Sequence, residues 1–271
     1  MDGKDRKTFH YHASAHVLSG EIWRPFQHVI EVQAPSVLPS TGGMGDSRVE
    51  NFRHDDLISF KTGYTHVMGS KKRVKDNEGK ESTVYTTQVT ATVENLNILD
   101  VVTADRVVAR LSSSHDLNAE EASIRLIGSK FENLQIAGCK VNVIFDHDLL
   151  LRLETFDAVR NEFAKASDLR KMAEDTHAAI QVAPPPKQLQ THGVLLCSLV
   201  KEVDFKCPGV ERRGRHAFHV RDFGTIFLGE VVFEHGRKTL TMFRLELGSP
   251  CDAGITVLEA SSNGRKYPPT P

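Results

Sequence analysis

The chain has 271 residues, with 34 Lys and Arg against 35 Asp and Glu and a formal net charge of −1. That length can bury a substantial core, as one large all-β domain or two smaller ones. The even charge balance argues against a dedicated nucleic-acid or anionic-membrane binder, which would show a basic excess. No apolar run of about 18 residues is present to span a bilayer.

Residues 1–8 are charged and lack the apolar stretch of a signal peptide, so the chain as given reads as cytoplasmic unless a leader was trimmed. Residues 9–18 alternate as a strand does and put His10, His12 and His16 on one face. Residues 35–46 are dense in Pro, Gly and Ser and read as a long ordered loop, and residues 69–82 as a mobile polar one. The basic triplets Lys71-Lys72-Arg73 and Arg212-Arg213-Arg215 lie among turn-like residues and read as solvated loops, with electrostatic docking as the alternative.

Residues 85–145 are rich in Val, Thr and Ile, which pack well on a pleated surface. Within and before this stretch one phrase recurs: Val49-Glu50-Asn51-Phe52, Val93-Glu94-Asn95-Leu96 and Phe131-Glu132-Asn133-Leu134. We read three variations of one strand-and-turn unit, too few to claim a propeller or solenoid. Over residues 148–180 the pattern changes to a helical period, with Leu149, Leu153, Phe156, Val159, Phe163, Ala166, Leu169, Met172 and Ala173 on one face. Asp146 or Asp148 can cap its start, Ser167-Asp168 divides it, and Pro184-Pro185-Pro186 stops it. Residues 223–233 and 239–247 form the clearest hairpin, apolar on both faces and therefore central.

The expected fold is mainly β, an antiparallel sandwich or barrel with a helical insertion near 148–181. Its regions are 1–147, with the repeated phrase, the insertion 148–183, and a C-terminal β region 187–267 that shares one core with the first.

Motifs that carry chemistry are sparse. Glu230 lies inside an apolar strand, where burial raises a carboxyl pKa and suits it to acid–base work. The plainer account is an ion pair: a three-residue loop over 236–238 places Glu230 opposite Arg244. Asp105-Arg106 is a second buried-charge candidate, and His216 and His219 form an H-x-x-H that would serve a metal on a helix but whose rings a strand would send to opposite faces. His10 and His12 can reach one divalent metal, but His16 stands about 13 Å further along a strand. No other cofactor is implied. The four cysteines have no CxxC spacing; buried free thiols are the favoured reading, and a Cys197–Cys207 bridge the alternative.

TVENLNILDVVTADRVVARLSSSH (92–115), GSKFENLQIAGCKV (128–141) and FGTIFLGEVVF…LTMFRLELGSP (223–250) resemble uncharacterised bacterial β-rich proteins, some of choice-of-anchor type. The resemblance implies a β-rich fold and transfers no active site. Three functional classes follow. The first is a binding or assembly module for a protein or small-molecule ligand, with a homo-oligomer open. The second is a small-molecule isomerase, lyase or cyclase using Glu230, His219 and Asp105 in a barrel cavity. The third is a metal-dependent enzyme using His10 and His12. The first is favoured, and it predicts an exposed apolar patch.

Overall fold

A computed structural model describes residues 8–75, 81–165, 167–248 and 251–267. In chain order the strands are β1 (Thr8–Arg24), β2 (His28–Gln33), β3 (Ser36–Val37), β4 (Gly43–His54), β5 (Ile58–Lys75) and β6 (Glu81–Ile98). Then come β7 (Val102–Asp116), β8 (Ser123–Arg125), β9 (Lys130–Glu132), β10 (Gln135–Ile136), β11 (Cys139–Lys140) and β12 (Asn142–Phe145). Helices α1 (His147–Arg152), α2 (Phe156–Ala164) and α3 (Asp168–Ala179) interrupt the β pattern. It resumes as β13 (Leu195–Ser198), β14 (Val200–Asp204), β15 (Val210–Arg212), β16 (Ala217–Val220), β17 (Gly224–Glu234), β18 (Arg237–Leu247) and β19 (Asp252–Tyr267).

The strands build an antiparallel sandwich. One sheet runs β15-β16-β17-β18-β19-β1-β2, with β13 added to β17 and β3 to β1. The other runs β11-β10-β7-β6-β5-β4, with β8 and β9 on β7, while β12 and β14 pair separately. β1 and β19 of the first sheet pack on β5, β6 and β7 of the second. Apolar side chains from both sheets and all three helices join one contiguous core, so the region before the helices and the region after them share it. The Phe223–Leu247 hairpin lies at the middle of the larger sheet.

The recurring Glu-Asn phrase turns out to mark a bend shared by neighbouring strands. Asn51, Asn95 and Asn133 all have positive φ, at 51°, 52° and 51°. An L-residue other than Asn, Asp or Gly is strained there by about 1–2 kcal/mol. One such residue shifts the in/out alternation of its strand by one position. In β6 the core-facing residues run Val89, Ala91, Val93 and then Leu96 and Ile98. A lone strand that did this would turn its neighbours' core side chains outward. All four long strands of the sheet therefore shift at one level: Val49 to Phe52 in β4, Phe60 to Gly63 in β5, and Ala104 to Val107 in β7. The skipped residues Asn51, Lys61, Asn95, Asp105 and Asn133 line up across the sheet, and Asn133 Nδ2 donates to Asp105 Oδ2 at 2.6 Å. The larger sheet repeats the device through Val17, Leu258, Met242 and Gly229, with φ of 54° at Leu258 and 59° at Gly229. There Gly is also demanded by space, because a Cβ at Gly229 would lie 2.9 Å from Phe145 Cε1.

Several expectations change. Asp105 falls on the skipped row and is exposed, so it is not a buried charge. Residues 35–46 contain β3 and the start of β4, and the expected mobile loop at 69–82 is largely the paired arms of β5 and β6. Its residues 76–80 lie outside the described ones, as does Ala166. The helical insertion is three helices. Asp146 caps α1 by accepting from Leu149 N–H, Thr155 caps α2, and the break at Ser167 separates α2 from α3. Lys71, Lys72 and Arg73 are exposed on β5 rather than in a loop. Arg215 pairs with Asp175 at 2.8 Å, and Arg212 donates to the Gly214 carbonyl at 2.9 Å.

The cysteine expectation is also corrected. Cys207 bonds Cys139, not Cys197, with Cα atoms 5.8 Å apart, and so ties β11 to the β14–β15 connection. Cys197 lies buried on β13, facing Val231 of β17.

Two outcomes follow from this architecture. Asn95→Gly should leave the urea midpoint nearly unchanged, whereas Asn95→Val should lower stability by about 1–2 kcal/mol. Opening the 68-residue closure of Cys139–Cys207 should cost about 4 kcal/mol in the chain-entropy model, read as the gap in stability between oxidised and reduced wild type.

Candidate functional site

The shift at Gly229 has a local effect on β17: it places Phe227 and Glu230 together on the sheet's outer face, three residues apart. The β17–β18 loop is two residues long, His235 and Gly236, not three. Glu230 therefore stands opposite Thr241, and Arg244 opposite Phe227. The Glu230–Arg244 pair forms diagonally instead. Arg244 Cζ lies 3.8 Å from the centre of the Phe227 ring, and its Nε and Nη2 donate to the two Glu230 oxygens at 2.7 and 2.9 Å. A bidentate fork of this kind is the strongest geometry the pair can adopt. Arg244 also binds Glu246 through Nη1.

His216, which neighbours Ala217 at the head of β16, points Nε2 at Glu230 Oε1 from 3.5 Å, long for a hydrogen bond. In the sequence His216 stood out only as the first member of the H-x-x-H with His219. Burial pushes the Glu230 carboxyl up, but His216 and Arg244 outweigh it and hold the group below the usual carboxylate range. Burial pushes the neighbouring Cys197 thiol far up, and the Glu230 charge adds to the effect, so this sulfur is not an available nucleophile. Ala179 of α3 roofs the cluster with Ile180, against Ala217 and Phe227. Ser198 N–H donates to Thr176 Oγ1 of α3 at 3.1 Å. Glu230 is 5% exposed and His216 1%, while the Arg244 side chain keeps 27% of its surface exposed. What the arrangement does chemically is hold an ion pair under α3.

The remaining candidates do not join it. His219 Nδ1 meets Thr225 Oγ1 at 3.2 Å and makes no contact with Glu230. Asp105 is on the other sheet. His10 and His12 are exposed on β1, and His16 pairs with Ser19 Oγ at 3.0 Å. Among the described residues no three His, Cys, Asp or Glu side chains gather where one metal ion would bind.

A second feature is open. Trp23, Phe26, Val29, Val32, Val37 and Met44 are all exposed large apolar side chains, Phe26 to 81% and Val37 to 70%. They follow one margin of the sandwich, from the end of β1 through β2 and β3 to β4. β2 pairs with β1 on one side and with nothing described on the other. Along β2 the Glu31 carbonyl accepts from Gln33 Nε2 at 2.8 Å, and a register shift against β1 falls between Ile30 and Gln33; backbone groups left open on such an edge are where another strand can add.

Over residues 9–234 the chain matches a family described as a domain of unknown function, DUF8256, and it belongs to that family. The matched span runs from β1 to the end of β17. No curated protein and no solved structure matches the chain.

The closed cluster makes a signed prediction. In wild type the depressed Glu230 carboxyl contributes stability above its unfolded value near ~4.3 and loses it as pH falls through the folded value. In Arg244→Met only His216 remains to oppose burial, so the stability that the carboxylate contributes above ~4.3 should shrink. Chemical unfolding of both proteins from pH 4 to 8 checks it: the rise in stability with pH should be smaller in the variant.

Proposed function

We propose that this protein is a non-catalytic β module that docks a partner chain along its β2–β3 margin. The observation that carries the reading is the concentration of exposed apolar side chains there, from Trp23 to Met44. Scattered surface apolars are ordinary, but several gathered on neighbouring stretches beside an open sheet edge suit an interaction surface. Strand addition supplies affinity through backbone hydrogen bonds and specificity through side-chain contacts. The buried acid that best suited an enzyme supports the same reading from the other side. Glu230 is matched by Arg244 and is itself buried.

The Cys139–Cys207 bond supports residence in an oxidising compartment, in place of the cytoplasmic expectation. Thiol alkylation of protein from its native cells, before and after reduction, distinguishes the two. Native protein should yield alkylated Cys139 and Cys207 after reduction only.

The docking surface is tested by a variant with Phe26→Ser, Val29→Lys and Val32→Lys, all at exposed positions. It should melt within a few degrees of wild type yet retain at least about tenfold less partner protein, a loss of roughly 1.4 kcal/mol in binding. Equal retention by both proteins would remove the reading.

A further inference from the structure

On the outer side of the larger sheet, the end of α3 lies over Ala217 and Phe227. The next outward row along these strands is different. Register sets Glu21 of β1, Gly254 of β19, Glu246 of β18, Thr225 of β17 and His219 of β16 side by side. Gly254 leaves a gap in that row, and Trp23 occupies it. A Cβ at position 254 would lie 2.9 Å from Trp23 Cη2, so the glycine makes room for the tip of the indole ring. The ring nonetheless stays 49% exposed.

A carboxylate stands on either side of Gly254, and each is held in place from elsewhere. Gln27 Nε2 donates to Glu21 Oε1 at 3.0 Å, and Arg244 Nη1 binds Glu246. Glu21 makes no ion pair among the described residues, and Arg244 is shared with Glu230. Arg24 comes only to 4.0 Å from Asp252, at the same end of the sheet. Negative charge therefore exceeds positive around the ring. A neutral apolar occupant would desolvate Glu21 and Glu246 without a partner for either, and an anion would be repelled. A cation is drawn both by the ring and by the carboxylates. Arginine suits the place better than lysine, because a planar guanidinium stacks on an aromatic ring and forks onto a carboxylate at once. The chain already uses that chemistry once, where Arg244 lies over Phe227 and grips Glu230.

We infer that the partner docked beside β2 presents an arginine side chain to Trp23, between Glu21 and Glu246. The ring and both carboxylates come from this chain, and the guanidinium comes from the partner. This rests on the docking reading above and names the chemistry of that partner.

Trp23 is the sole tryptophan of the chain, so its fluorescence reports on the site directly. Emission is titrated at low salt with a short arginine-rich peptide, a glutamate-rich peptide of equal length and a neutral oligosaccharide. Wild type is compared with Glu21→Gln/Glu246→Gln. The arginine peptide should shift the emission saturably, with an apparent Kd that weakens as salt is raised, and the other two probes should leave it unchanged. The double variant should melt within a few degrees of wild type and bind the arginine peptide at least about tenfold more weakly. No saturable shift, an equal affinity in the variant, or a response to the glutamate peptide or the oligosaccharide instead would overturn the inference. The variant with Phe26→Ser, Val29→Lys and Val32→Lys keeps Trp23, Glu21 and Glu246, so its partner capture tests the docking reading separately.

Discussion

A sheet whose strands must all bend at one level is the constraint on which this fold depends. Side chains alternate along a strand with a period of two, so a single left-handed residue exchanges inside for outside. Both sheets contain such residues, and neighbouring strands follow at the same level. On the eight-stranded sheet the skipped row is solvent-facing and polar, which is why Asn serves there. On the larger sheet Met242 and Leu258 in the row are fully buried, and the backbone is accommodated by Gly229 and by strain at Leu258. The closed cluster follows from the same constraint. Without the shift, Phe227 and Glu230 would face opposite ways, and Arg244 could not cover one while gripping the other.

The molecule separates two kinds of surface. Its most chemically suggestive groups are paired and covered, and its most exposed apolar groups lie on an open edge. A bidentate pair next to an aromatic ring fixes the position of the strand that α3 packs over, at the expense of desolvating a carboxylate. The edge fixes nothing within the monomer. Val37 and Phe26 contribute almost no burial to the core, so their apolar character has no explanation inside the fold.

How much of this could be read from residues alone depended on the range of the interaction. The β-rich regions and helical segment were legible, because periodicity is local; Asp146 as a cap and the Ser167 break were legible for the same reason. The Glu-Asn phrase was visible as a repeat, but its meaning was not, since left-handed φ at Asn becomes necessary once neighbouring strands are in register. Asp105 was misread for the same cause. In the apolar run 101–111 the alternation changes parity, and a residue that looks enclosed falls on the outward row. Glu230 was correctly suspected to be buried and paired, yet its register failed on the length of one loop. Cys139 was missed as the partner of Cys207 because 68 residues separate them, and His216, visible only in its H-x-x-H, meets Glu230 through the β16–β17 pairing, which residue patterns did not reveal.

The pairing of β1 with β19 puts the first and last strands of the domain side by side. A ribosome must therefore have released β19 before the larger sheet can close. The eight-stranded sheet, built from neighbouring segments up to β11, is available much earlier, with its apolar face still uncovered. Between those two moments β1 has only β2 and β3 as sheet partners. Between β11 and β19 the nascent chain would hold one sheet without its complete partner, and a truncation before β19 would leave β1 and β18 without the strand they share.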